Sequence, residues 1–158
     1  DSVIGLTMLK SPDNPNPKAD RGHHSFSYSF CLHRGDFRSA DTVSRAYAFN
    51  NPCLAVMKRK KVVNSSESAF SFISVNVPDV VIETVKKAED SDSLIIRCYE
   101  CFNRRSHVKM KINAEFDRCF EVNMLENEVI QELKYEDGTA EFDIKPFEIK
   151  TLKFDIRS

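Results

Sequence analysis

The sequence predicts a mainly β, antiparallel fold with one short helix. Two observations carry this prediction. Segment after segment alternates apolar and polar residues at period two with short polar turns between them, and only one stretch has helical spacing, so the chain lacks the helices that parallel crossovers require. At 158 residues the chain holds one ordinary domain, or two small β units sharing a boundary. A chain of this size buries roughly 70% of its unfolded surface, enough for a core without disulfide or metal staples.

Val3 to Leu9 reads as a short strand. Ser11 to His24 follows with three prolines and one glycine, which forbid a regular helix or central strand and leave a long, partly rigid loop. Phe26, Tyr28, Phe30 and Leu32 then alternate with Ser25, Ser27, Ser29 and Cys31, the pattern of a strand with one face in a core. His33-Arg34-Gly35-Asp36 turns the chain. Ser39 to Phe49 reads as the helix, with Ser39 placed to cap it, Val43, Ala46, Tyr47 and Phe49 toward one side, and Asn50-Asn51-Pro52 to stop it. Lys58-Arg59-Lys60-Lys61 reads as an exposed hairpin tip or linker rather than a phosphate site, since no aromatic ladder stands beside it. Asn64 to Ser68 is polar enough to be a boundary.

From there the chain is a run of β segments: Phe70 to Val77, Val80 to Ala88 and Leu94 to Phe102 come first. Val108, Met110 and Ile112 then alternate with lysines and Asn113, and Phe120, Val122 and Met124 alternate with Glu121 and Asn123. Ile130 to Tyr135 leads to the turn Glu136-Asp137-Gly138. Ala140, Phe142 and Ile144 oppose Glu141, Asp143 and Lys145, and after Pro146-Phe147 the last strand puts Leu152, Phe154 and Ile156 inward. Strands with one dry and one wet face must pair their dry faces, which gives a sandwich or a barrel.

The balance of 23 basic against 24 acidic residues, a formal charge of -1, removes electrostatic attraction to nucleic acid or anionic membrane as a default. No apolar stretch approaches the ~20 residues of a membrane span. Five cysteines cannot all pair within one chain, and their wide spacing favours reduced thiols and a cytoplasmic location. Cys98-x-x-Cys101 falls in a strand-like run, not at a helix start, so it reads as structural rather than redox-active. Asn64-Ser65-Ser66 matches a glycosylation sequon, a pattern short enough to arise by chance.

Two separated blocks carry a likeness to a known family. The first runs Leu9-Lys10-Ser11-Pro12-Asp13, then Ala19-Asp20-Arg21-Gly22-His23-His24-Ser25-Phe26-Ser27-Tyr28 and the His33-Arg34-Gly35-Asp36 turn. The second spans Val80 to Glu100 and closes with Leu125-Glu126 and Pro146-Phe147-Glu148-Ile149-Lys150-Thr151-Leu152. In order and over nearly the whole chain, the sequence resembles the C-terminal β region of glycoside hydrolase family 38 alpha-mannosidases, especially the bacterial and cytosolic branch. It departs from the family pattern at Lys10, usually Arg, and at Phe37, commonly Trp.

The resemblance implies that residues 1–64 end a large β-sandwich domain and that residues 66–158 form a small antiparallel sandwich, immunoglobulin-like or jelly-roll-like. It implies a non-catalytic part of a zinc-dependent retaining enzyme that removes terminal alpha-mannosides. Zinc and the nucleophile belong to N-terminal catalytic and helical domains, its expected partners along with mannose-containing glycans. No catalytic residue, metal ligand or cofactor is expected in this chain, whose four histidines lack the His-x-Asp spacing of that zinc site, and the chain alone is expected to be inactive.

Retaining glycoside hydrolysis needs two carboxyl groups about 5 to 5.5 Å apart. Glu83, Glu121 and Asp143 fall on the expected wet faces of strands, where solvation is the default. Asp20, Arg21, Gly22, His23 and His24, with Asp36 beyond, are the candidates for a substrate-cleft or interdomain loop, because charge, imidazole and glycine stand ahead of a strand on a fixed base. The plainer reading has Asp20 capping backbone amides and a histidine docking the loop. Tyr99, Glu100, Pro146 and Glu148 read as architectural, with Glu100 and Glu148 facing Arg97 and Lys150. Alternatives are a carbohydrate-binding module, which the lack of Trp disfavours, and a protein-interaction or oligomerisation domain.

Overall fold

The computed structural model describes residues 3–57 and 69–156. The basic run Lys58 to Lys61, the sequon and the expected boundary at Asn64 to Ser68 lie outside the described residues. By their contacts the residues fall into two compact units, Asp1–Arg34 and Gly35–Ser158.

In the first unit residues 3–34 form neither helix nor strand. Val3 to Leu9 and Phe26 to Leu32 therefore differ from the sequence expectation. An alternating run becomes a strand only when a neighbour satisfies its backbone groups, and no described segment pairs with either one. Phe26, Tyr28, Phe30 and Leu32 are left 52% to 87% exposed.

The second unit opens with α1 (Thr42–Asn50). The helix starts three residues later than its sequence suggests, because Ser39 is engaged upstream. Its main-chain N–H and its hydroxyl both donate to Asp36 Oδ1, each at 2.9 Å, which draws residues 36–39 into a turn. Asp41, in the left-handed region at φ 55, then redirects the chain into the helix.

Among the described residues eight strands follow: β1 (Ile73–Val75), β2 (Val80–Lys87), β3 (Leu94–Glu100), β4 (Ser106–Ile112), β5 (Phe116–Val122), β6 (Val129–Glu136), β7 (Thr139–Ile144) and β8 (Ile149–Ile156). All pairings are antiparallel and run in the single order β1-β4-β7-β6-β5-β8-β3-β2. The edges β1 and β2 do not pair, so the sheet is not a closed barrel. It doubles over at β6, whose first part (Val129 to Leu133) pairs β5 and whose last part (Lys134 to Glu136) pairs β7. One strand thus belongs to both layers, a corner arrangement of packed sheets.

The dry faces meet between the layers. Val108, Met110, Ala140, Phe142 and Ile144 from one side pack with Ile96, Cys98, Cys119, Leu152 and Phe154 from the other. Tyr135 and Phe116 tilt their rings against Phe154 at 5.7 and 5.6 Å between centroids. The β6–β7 hairpin closes on Asp137 and Gly138 at φ 48 and 73, the mirror-image turn that matches strand twist. A side chain at Gly138 would place its Cβ 2.9 Å from the Ile112 carbonyl oxygen.

The cysteines separate by burial. Cys98 and Cys119 are enclosed in the core; burial pushes the Cys98 thiol up to about 12 and raises Cys119 as well. Cys101 lies three residues from Cys98, an odd spacing that in a strand turns the two sulfurs to opposite faces, and its Sγ donates to the Asp79 carbonyl at 3.3 Å. A bulky disulfide reagent should therefore modify exposed Cys31 and Cys53 in the native chain, and Cys98 and Cys119 only after denaturation. Rapid native labelling of either core thiol would contradict this packing.

Candidate functional site

The loop singled out by the sequence lies in the first unit. Asp20 is in the left-handed region at φ 55, Gly22 is at φ 144, and the Arg21 main-chain N–H donates to Lys18 O at 3.3 Å. His24 Nε2 donates to the Asp20 carbonyl at 2.6 Å and so ties the loop across four residues. Asp20, Arg21, Gly22, His23 and His24 are all exposed. Asp36 belongs to the second unit. The Ser39 main-chain N–H, then its hydroxyl, together with Arg38 at 3.5 Å, hold the Asp36 carboxyl below the usual carboxylate range.

The residues read as architectural have more definite geometry. Glu100 ends β3 with its side chain fully inside, and its carboxylate accepts four backbone N–H groups: Phe102 at 2.7, Asn103 at 3.0, Arg104 at 3.2 and Phe147 at 2.9 Å. One side chain thus caps the turn after β3 and fixes the β7–β8 turn, where Phe147 follows exposed Pro146 with φ 56. Arg97 does not pair with Glu100 as expected, because it lies on the other face of the strand. There Arg97 Nε donates to Thr151 Oγ1 at 3.1 Å, and its Nη2 reaches the Met124 carbonyl and buried Glu126. Tyr99, half-buried, has its phenol pKa raised by burial. Beside the Glu100 turn, Asp79 is fully buried. Burial alone would raise its pKa, but hydrogen bonds from Arg104, at 2.6 Å, and from the Ser106 hydroxyl outweigh it and hold the carboxyl low.

Glu121 departs most from expectation. Instead of lying on a wet face, it is 7% exposed and points to the core side of β5, opposite Leu152 of β8. The cause is irregular register: β5 slips against β8 between Phe116 and Arg118, and beyond that slip Cys119 and Glu121 stand opposite the core residues Phe154 and Leu152, which leaves Phe120 half-buried. Lys150, paired in register with the core residue Cys98, meets Glu121 there with Nζ 2.7 Å from both carboxylate oxygens, and Gln131 Nε2 adds a bond at 2.8 Å. Glu148 lies 3.8 Å from Lys150, the one sequence-expected contact of this pair.

This buried pair adjoins a polar cleft of about 500 Å³. Arg105 with the start of β4 (Ser106, His107), the end of β7 with the turn after it (Asp143 to Lys145), Gln131 of β6, and Glu148 with Lys150 of β8 line it. The sequence does not announce the cleft, since its members come from separate strands and turns; of them it points only to Asp143, as a solvated carboxylate, and to Glu148 with Lys150. Among the described residues no three His, Cys, Asp or Glu side chains gather as metal ligands, so zinc of the kind the resemblance implies finds no ligand set here.

Comparison with known proteins agrees with the fold. Residues 79–152, from the buried Asp79 to the middle of β8, match the family model described as the glycosyl hydrolases family 38 C-terminal beta sandwich domain. The chain is 34% identical over 154 residues to alpha-mannosidase G of Dictyostelium discoideum, covering 96% of this chain and 14% of that protein. It is 32% identical over 155 residues to alpha-mannosidase 2C1 of Homo sapiens, covering 96% of this chain and 15% of the relative. Its Mus musculus counterpart is 29% identical over 161 residues, again with 15% of the relative covered. The chain thus spans about 15% of the length of the relatives it matches. The similarity is continuous across both units, and the matched domain lies on the folded sheet, so the chain is similar throughout to the C-terminal region of family 38 alpha-mannosidases.

Proposed function

We propose that this chain serves as the non-catalytic C-terminal part of a zinc-dependent, retaining alpha-mannosidase of the cytoplasm, packing against and shaping the domain that hydrolyses terminal alpha-mannosides. Residues 1–64 complete a larger β-sandwich in this reading, and residues 66–158 supply the small sandwich beside it. The observation that supports it most is the bare apolar face of Phe26, Tyr28, Phe30 and Leu32, 52% to 87% exposed, in a chain similar end to end to a small share of much longer alpha-mannosidases. Four large side chains at strand spacing are costly to leave in water, and a neighbouring strand from the rest of the enzyme would cover them. The catalytic zinc, the nucleophile and the acid/base carboxyl come from other domains.

Within that assembly the Asp20–His24 loop faces the mannose cleft. The His24–Asp20 bond fixes its course, Gly22 allows its left-handed backbone, and Arg21 offers a fork of donors to sugar hydroxyls or to a catalytic carboxylate. Asp36 anchors the turn that follows. In an enzyme carrying this chain after an alpha-mannosidase catalytic domain, Arg21→Ala should lower kcat/KM for a p-nitrophenyl alpha-mannoside about ten-fold, the loss of one charge-assisted hydrogen bond, with the melting temperature nearly unchanged. A lowered melting temperature with unchanged turnover would reject the cleft role. The 158-residue chain alone, with or without added zinc, should give no turnover.

A further inference from the structure

The polar cleft at the end of the sandwich is not used by the proposed function, and its chemistry is specific. Lys150 and Glu121 are buried charges facing each other between two sheets, an arrangement that a pair of apolar side chains replaces without loss of stability in many proteins. Around them the lining mixes spare donors with spare acceptors. The Arg105 and Lys145 side chains make no hydrogen bond or ion pair with any described residue. Asp143 spends Oδ1 on His107 at 2.8 Å, and Glu148 spends Oε2 on the Lys145 main-chain N–H at 2.6 Å. Asp143 Oδ2 therefore remains without a donor among the described residues, and Glu148 Oε1 has only the Lys150 ammonium, at 3.8 Å.

This mixture decides the class of ligand. Two carboxylates oppose an anion, and Arg105, Lys145 and Lys150 oppose a cation. A neutral molecule dense in hydroxyls satisfies both sets, because each hydroxyl donates and accepts, and charged partners strengthen each bond. Beside the cleft, the turn between the lining residues Lys145 and Glu148 carries an apolar side chain. Phe147 is 64% exposed, its backbone is in the left-handed region at φ 56, and the Glu100 carboxylate holds its N–H at 2.9 Å. A bulky residue kept in a costly backbone conformation with its ring in water is a feature of binding sites more than of stable turns. We propose that the cleft binds a neutral sugar or polyol, with Arg105, Asp143, Lys145 and Glu148 meeting its hydroxyls and the Phe147 ring its C–H face. The inference stands on the cleft alone and holds whether or not the chain belongs to an active mannosidase.

The test is a titration of the ¹⁵N-labelled 158-residue chain with methyl alpha-mannopyranoside and, separately, with myo-inositol, followed by amide shifts. At least one of them should produce saturable shifts confined to residues 104–107, 131 and 143–150. Phe147→Ala and, just before β4, Arg105→Ala should each weaken the affinity about five-fold, the scale of one lost contact, with dispersed spectra retained. If Phe147→Ala disturbs its turn, Arg105→Ala reads the same site from intact backbone. The absence of saturable shifts with both compounds, equal affinity in both variants, or tighter saturation of the same amides by inorganic phosphate or calcium would overturn the proposal.

Discussion

Replacing Glu100 by Ala should destabilise the second unit by about 4 kcal/mol, one of the two largest effects expected in this chain. The carboxylate receives four backbone N–H groups from two separate turns, at 2.7 to 3.2 Å, and its own side chain is buried. Removing it strands those donors, and each buried donor left without an acceptor costs about 1–3 kcal/mol before any relaxation toward water. Glu100→Gln should recover little, because its amide keeps one acceptor oxygen and turns an N–H₂ group against N–H groups. Urea unfolding should show the midpoint falling with the slope unchanged in both variants. A loss under about 1 kcal/mol in Glu100→Ala would mean that the two turns hold themselves.

The second large effect concerns the interior ion pair. Lys150→Met should cost about 3–5 kcal/mol, because it leaves the Glu121 carboxylate, 7% exposed, without its counter-charge. Adding Glu121→Leu to it should restore stability close to that of the native chain, since two apolar side chains avoid the cost of burying two charges. The strong opposite sign of the coupling in this double-mutant cycle is the measured quantity. A double variant as unstable as Lys150→Met would show instead that the pair supports the fold.

The alternation along β4 and β7 was fully legible, because every second residue is apolar and no irregularity intervenes: Val108, Met110 and Ile112 face Ala140, Phe142 and Ile144 in the core. The same rule failed on β5. Phe120 looks like an inward residue and Glu121 like an outward one, but the register slip between Phe116 and Arg118 exchanges their faces, and no local residue pattern announces it. Phe26 to Leu32 shows a different limit, since alternation marks a dry face but says nothing of the neighbour that must cover it. Ser39 was a sound helix cap by type, yet Asp36, three residues earlier, claims both its donors. Glu100 was legible as important to architecture, but its role was not, because backbone amides carry no sequence signature. Of the candidate site, the loop at Asp20 to His24 was visible as a contiguous motif, whereas the cleft was hidden because strand order, not chain order, assembles it.

The place of β8 in the sheet has a consequence for synthesis. This last strand lies between β3 and β5, so neither has its native inner neighbour until residues 149–156 have left the ribosome. Nascent β3, with Ile95, Ile96 and Cys98, waits with a bare edge through more than fifty residues of translation. Chaperones can engage the polypeptide in that interval, and a premature stop within β8 leaves β3 and β5 without the strand they share.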